Sequence, residues 1–329
     1  MPALSISRAD AMVRYIKEDE VKRLLRMADV VGCVERAFRD RAQGKAFDIP
    51  RRRTLQPGGH LHVLQAAAPE LNLIGFKAYY LKPEARTFYL HLINHQHGNQ
   101  EALIEADWLG RMRTGAATAV ATDVLARKSA SVVACFGTGR HAQTQLEGVA
   151  CVRRLTEVHA FGRNRERQAG FCATMSSKLG VTVRPVHSEA EALAGADIVN
   201  VMTRSDTPVF DGRLLEPGQH INAAGGNALD RREVDLETVR RARVVVDSRE
   251  VARGECGDLL PAIEQGLLYW EQVPDLGEVL IGQRPGRTSD ADITLFESHG
   301  MALQDIYTGR HVLEVARAQN IGVDLPIGS

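Results

Sequence analysis

Apolar and polar positions change rhythm along this chain. In its middle the apolar run Ser131-Val-Val-Ala-Cys-Phe136 stops at Gly137-Thr-Gly139. A strand-length apolar run that ends at a glycine turn predicts a buried parallel strand. Residues 156–161, 181–186, 198–203, 220–224 and 243–247 repeat the pattern, and 294–296 is a last such segment. Helical segments run between them. Phe171, Met175 and Leu179 recur at i, i+4, i+8, and Ser188 stands ready to cap a short helix with Glu189 and Glu191 near its start. Strands alternating with helices predict an α/β fold with a doubly wound parallel sheet, whose ligands lie beyond the carboxyl ends of the strands. That rule puts Gly137, Arg163, Thr203, Gly225 and Asp247 on one rim.

The chain before residue 129 reads differently. Asp29 begins a helical stretch with Val30, Val34, Ala37 and Phe38 on one face. Strand-like runs follow at 47–50, 61–65, 73–80, 88–93 and 102–106, with polar breaks at Gly58-Gly59 and 95–98. This pattern predicts a mixed or antiparallel sheet with a helix, a discontinuous α+β domain. Residues 107–118, rich in small side chains, feed a helix through Val120, Val124 and Leu125, and a final amphipathic helix carries Leu313, Val315 and Ala316. The expected division is 1–128 with 298–329 as one domain and 129–297 as the other.

Composition narrows the picture only a little. The 329 residues hold 41 Lys plus Arg against 41 Asp plus Glu, so no net field points to nucleic acid or a membrane surface. Apolar runs are strand-sized, far short of the ~18 residues of a membrane span. The five cysteines are odd in number and widely spaced. They form no C-x-x-C or Cys/His ligand pattern, so reduced thiols, a cytoplasmic protein and no bound metal are expected.

The glycine turn carries the first chemistry. In Gly137-Thr138-Gly139-Arg-His141-Ala142-Gln143, Gly137 suits a tight turn, Gly139 a close approach to a pyrophosphate, and Ala142 close helix packing. The helix start then offers N–H groups to phosphate. The second strand ends at Gly162-Arg163-Asn164-Arg165, with no acid for a ribose 2′-hydroxyl and two guanidinium groups suited to a 2′-phosphate. The expected cofactor is NADP(H), with NAD(H) as the alternative.

These residues sit among others that resemble the ornithine cyclodeaminase/μ-crystallin family. The matching pieces are Gly75-Phe-Lys77, the run from Ile104 through Arg113-Thr114-Gly-Ala-Ala-Thr118, the glycine turn, His220-Ile-Asn-Ala-Ala-Gly-Gly226-Asn227, Arg232-Glu233-Val-Asp235, Val246-Asp247-Ser248, Glu255-Cys-Gly-Asp258, Leu276-Gly-Glu278, Pro285-Gly-Arg287 and Ser298-His-Gly300-Met. They keep the family's order from residue 75 to 302. The resemblance implies a Rossmann-type cofactor domain and a homodimer joined through the first domain. It implies redox chemistry at a carbon bearing an amino or imino group beside a carboxylate. It further implies a cofactor held by Thr114, Gly137, Thr138, Gly139, His141, Ala142, Gln143, Gly162, Arg163, Asn164, Arg165, Thr203, Ser298 and Gly300.

One departure bears on the reaction. Cyclodeaminases of the family carry Gly-Gly-Asp after the fifth strand, whereas this chain has Gly225-Gly226-Asn227. An amide is no general base near neutral pH. Reduction of a preformed imine asks less of a site than cyclodeamination, so the expected activity is reduction of a small cyclic 2-imino acid. An amino-acid dehydrogenase, an ornithine cyclodeaminase and a non-enzymatic NADPH-binding protein are the alternatives. Lys77 and Arg113 resemble the family's cationic substrate residues and, with Asn227, are the expected catalytic set. One arginine of Arg51-Arg52-Arg53 should complete a carboxylate clamp. Strand alternation separates Arg52 from the other two, and Arg53 is the preferred member.

Overall fold

The computed structural model of the chain describes residues 12–327. In chain order they form β1 (Met12–Ile16), α1 (Glu18–Leu24), α2 (Met27–Ala42), β2 (Phe47–Gln56), β3 (Gly59–Ala68), β4 (Leu73–Lys82), β5 (Ala85–Asn94), β6 (Gln100–Glu105) and α3 (Asp107–Leu125). Then come β7 (Val132–Phe136), α4 (Arg140–Val152), β8 (Glu157–Phe161), α5 (Arg165–Leu179), β9 (Thr182–Val186), α6 (Glu189–Leu193), β10 (Ile198–Val201) and β11 (His220–Ala223). The chain closes with α7 (Leu236–Arg241), β12 (Ala242–Val246), α8 (Arg249–Glu255), α9 (Leu260–Glu264), α10 (Leu276–Leu280), β13 (Ile293–Glu297), α11 (Ala302–Ala318) and β14 (Val323–Pro326). Two compact units result, Met1–Arg113 with Met301–Ser329, and Thr114–Gly300.

The first unit is α+β, as the sequence pattern predicts. Its seven-stranded sheet has the order β14-β1-β6-β5-β4-β3-β2. β2 to β6 form an antiparallel meander, and β1 adds in parallel to β6. Leu64, Ala66, Leu73, Leu90, Leu92 and Ile104 are buried in this unit, the alternation a one-sided sheet requires. α11 packs against β3, β4 and β5. Gly309 lets it settle: a Cβ there would stand 2.4 Å from Leu90 Cδ2. β1, β14 and α1 escape the sequence pattern because each is short and interrupted by charge.

The second unit is a parallel sheet of order β12-β13-β11-β10-β7-β8-β9. The strand order reverses at β7 and β10, so this is a doubly wound, Rossmann-type fold with its switch point after the glycine turn. Ser188 caps α6 through Glu191 N–H, as expected.

The unit boundaries fall at 113/114 and 300/301, where the sequence places them at 128/129 and 297/298. The reason is in α3. Its later residues pack on α4: a Cβ on Gly115 would lie 2.1 Å from Thr144 O, and one on Gly148 2.2 Å from Gly115 O. Thr118 Oγ1 also donates to Gln145 Oε1. The carbonyls at the end of α3 are taken up by Arg153, which reaches Thr122 O at 3.0 Å and Ala126 O at 3.1 Å, and by Arg287, which reaches Leu125 O at 2.6 Å.

Candidate active site

In the first unit a buried charge cluster gathers on β4, α3 and α11. Lys77 points to the inner face of β4, the same side as buried Leu73 and Tyr79. Its Nζ donates to Asp305 Oδ1 at 2.7 Å. Arg113 Nε reaches the same oxygen at 3.2 Å, and Arg113 Nη1 donates to Gln304 Oε1 at 3.0 Å. All four side chains are buried. Burial and the neighbouring Arg113 guanidinium push the Lys77 ammonium down to about 7, against the pull of Asp305.

The arginine run behaves differently from strand alternation alone. A register shift between Ile49 and Arg52 interrupts the β2–β3 pairing. Arg53 lies opposite His62, partly exposed, and its charge acts on that histidine. Arg51 is buried, and its charge acts on Lys77 as well as on His62. The structure therefore brings Arg51 rather than Arg53 to bear on Lys77. Burial first, then Arg51 and Arg53, hold His62 down at about 4.

The second unit carries the cofactor rim. Gly137 has φ +105°, and a Cβ on it would lie 2.4 Å from Met202 O, so glycine is required. Gly139 precedes the first turn of α4 with no side-chain cap and open space where a Cβ would be. The first turn of that 13-residue helix holds no acid. These features fit a dinucleotide pyrophosphate. Gly162 closes on Thr138, with a Cβ position 2.8 Å from Thr138 Oγ1. Ala142 is buried, while His141 and Gln143 are half-buried.

At the end of β8 the two arginines part company. Arg163 is exposed. Arg165 turns toward the end of β9, where Nη1 contacts His187 Nδ1, Gln168 Oε1 and Val186 O. Asn164 spends its side-chain oxygen on Arg167 N–H as the cap of α5, at 2.8 Å. Thr114 lies inside α3, buried, and its carbonyl accepts from Gln145 Nε2.

Three buried carboxylates pin the other rim loops. Glu233 accepts Thr203 N–H at 2.6 Å and the Thr203 hydroxyl at 2.5 Å with one oxygen, and the N–H groups of Gly225 and Gly226 with the other. It thereby fixes the backbone leading to half-buried Asn227. Asp258 in turn accepts Glu233 N–H and Val234 N–H. Asp247 gathers Ser298 Oγ at 3.3 Å and the N–H groups of His299 and Gly300 at 2.7 Å each. Burial alone would raise the Asp247 carboxyl, but His299 and these N–H donors outweigh it and hold it low. Cys256, Glu297 and His299 also come together, their ligand-type atoms within 4.8 Å of one another. Burial pushes both the Cys256 thiol and the Glu297 carboxyl well up from their ordinary values.

Sequence reading missed Asp305, Gln304, Glu233 and Asp258 as site residues. One signal existed for the first: an aspartate amid Leu303, Ile306 and Tyr307 on the buried face of α11.

Glycine turn and switch point define a dinucleotide-binding α/β protein, and the buried cation cluster lies in its first unit. The chain belongs to the ornithine cyclodeaminase/mu-crystallin family, whose profile matches residues 11–320. It is 30% identical over 319 residues to a Delta(1)-pyrroline-2-carboxylate reductase of Bacillus cereus, covering 93% of this chain and 98% of the relative. The solved structure of Thermococcus litoralis Delta(1)-pyrroline-2-carboxylate reductase with NADH and L-proline superposes with a TM-score of 0.90 at 31% identity, over 95% of this chain and 100% of that one. An archaeal alanine dehydrogenase dimer with bound NAD superposes with a TM-score of 0.90 at 30% identity, over 95% of this chain and 99% of the other.

Proposed function

We propose that this chain reduces a small cyclic 2-imino acid, of the Δ1-pyrroline-2-carboxylate or Δ1-piperideine-2-carboxylate type, to the L-amino acid. One observation carries the reading: the buried Lys77–Arg113 pair, in a chain 30% identical to a reductase of that class. A 2-imino acid presents a carboxylate beside its C=N bond. Lys77, Arg113 and one arginine of β2 bind that carboxylate by charge-assisted hydrogen bonds and so orient the imine. Arg53 was the arginine preferred from sequence; the charge acting on Lys77 favours Arg51. NAD(P)H, when bound, would supply the hydride that the reduction needs, and solvent the proton for the nitrogen. Gly137, Thr138, Gly139, His141, Ala142 and Gln143 hold the pyrophosphate side of that cofactor, Thr203, Ser298 and Gly300 the opposite side. NADP(H) is favoured over NAD(H) by exposed Arg163, with Arg165 turned aside. The free, unpaired cysteines of the described residues and the nicotinamide cofactor suit the cytoplasm, and a homodimer suits the family.

The test is a panel of cyclic imines and keto acid plus amine pairs, each with NADPH and NADH. Rapid reduction of a cyclic 2-imino acid without ammonia is expected. Reductive amination that depends on ammonia would instead establish an amino-acid dehydrogenase, the reading favoured by the likeness to alanine dehydrogenase. Because Asn227 stands in place of an aspartate, no ammonia should be released from L-ornithine or L-lysine. Stoichiometric proline and ammonia from ornithine would overturn the reductase reading.

A further inference from the structure

Asp305 has no part in the reaction as drawn so far, yet it sits at its centre. It is fully buried on α11. Both Lys77 and Arg113 bond to its Oδ1, while Oδ2 has no hydrogen-bond partner among the described residues. A carboxylate serving only to hold the fold together would be expected to satisfy both oxygens. This one is lopsided: its anion is shared by two cations that need an anion when no substrate is bound. Three cations, Arg51, Lys77 and Arg113, could not be buried together without such a partner.

We propose that Asp305 is the resident counter-anion of the substrate-carboxylate site, a positioning residue that keeps Lys77 and Arg113 aimed and charged until the substrate arrives. This rests on the reading of those two cations as the carboxylate clamp. Gln304, the preceding residue, holds the far end of the Arg113 guanidinium, so α11 sets both the charge and the direction of the pair.

The consequence is a pH dependence whose direction follows from the neighbours. Arg113 from α3 and Arg51 from β2 face Lys77 and push its proton off; Asp305 from α11 pulls the other way. Tyr79 of the same strand lies with its ring centroid 5.9 Å from Nζ, and His62 of β3 stacks on that ring. With Lys77 near 7, affinity for a carboxylate falls as pH rises through about that value. Removing the Asp305 charge lowers the Lys77 pKa further, so the fall begins at lower pH. Bound substrate supplies a second anion and shifts the limb of kcat above that of kcat/KM.

The experiment uses the full chain, wild type and Asp305→Asn. Binding of pyrrole-2-carboxylate, an unreactive planar carboxylate, is measured by calorimetry from pH 6 to 10, alongside kcat/KM for Δ1-pyrroline-2-carboxylate. The variant should lose affinity at a pH lower by about one unit or more, the size of shift an opposite charge at this range produces. At pH 8 its KM should rise at least about tenfold, with the dissociation constant for NADPH unchanged. Asp305→Glu should return the limb toward the wild-type position. A variant of lower stability whose pH limb and KM match wild type would overturn the proposal. If Asp305→Asn does not fold, Asp305→Ser, which also removes the charge, decides, and an unchanged pH limb and KM in it would likewise overturn the proposal. Wild-type binding of the carboxylate without any imine reduction would instead overturn the reductase reading and leave Asp305 its role.

Discussion

Lys77 and Arg113 share one carboxylate oxygen, and that arrangement decides how their loss should be read. Replacing either by methionine keeps most of the packing volume and removes a buried charge. Truncating one partner of a buried charge pair costs roughly 2–5 kcal/mol, about thirtyfold or more in kcat/KM. Lys77→Met and Arg113→Met should therefore nearly abolish imine reduction while cofactor binding, followed by fluorescence, stays within about twofold. Wild-type KM and kcat in either variant would make these residues structural. On the other unit, Arg163→Ala should weaken NADPH more than NADH, by about tenfold to a hundredfold for a charged hydrogen bond of ~1.5–3 kcal/mol; equal KM values for the two cofactors in wild type would remove the basis for that. Lys77 and Arg113 were legible in the sequence because their residue types match a recognisable pattern. Asp305 was not, since it lies 228 residues from Lys77 and a lone carboxylate on an amphipathic helix looks solvated. The arginine run was half legible: alternation separated Arg52, but the irregular pairing of β2 with β3 could not be read from residue order.

At the scale of elements, α3 is the instructive case. The sequence pattern makes 107–118 a segment rich in small side chains that leads into a helix through Val120, Val124 and Leu125. The structure has one helix of 19 residues through all of it. Glycine inside a helix costs about 1 kcal/mol relative to alanine, and here close approach to α4 offsets that cost. Gly115 and Gly148 face each other's helices, so neither has room for a methyl group. Gly148→Ala should destabilise the protein by about 1–3 kcal/mol, the usual cost of overpacking, despite the higher helix propensity of alanine. Urea denaturation would show it as a lower midpoint; a raised midpoint would mean the helices can part without cost. The strands of the second unit were legible because each is a short apolar run ended by polar or glycine residues. The N-cap at Asn164 was not, because the same side chain reads equally well as a cofactor ligand or as the cap of α5.

Across the whole molecule, one surface stands out. On the first unit the sheet face opposite Lys77 leaves Leu61 39% exposed and Ile74 43% exposed, with Phe47 at 58% and Ile49 at 44%. In antiparallel register Ile74 lies opposite Ala67, and Leu61 is on the same side of β3. A contiguous apolar sheet face of this kind marks an association surface. A homodimer through this face is expected, giving a light-scattering mass of twice the 36.1 kDa chain. Leu61→Arg with Ile74→Arg should halve that mass, with the far-ultraviolet circular dichroism unchanged; a monomeric wild type would reassign the face.

The place of α11 in the chain carries a consequence for biosynthesis. The second unit is continuous from Thr114 to Gly300, so all its strands are synthesised before α11. The first unit begins earlier but cannot close until that late helix arrives to cover Leu90, Leu92 and Ile104. Throughout translation of the nucleotide-binding unit, then, a half-built sheet waits with its core side uncovered and Lys77 without its anion. A chain ending at Gly300 should be bound by chaperones through the uncovered sheet of its first unit, although every residue of the second unit is already made.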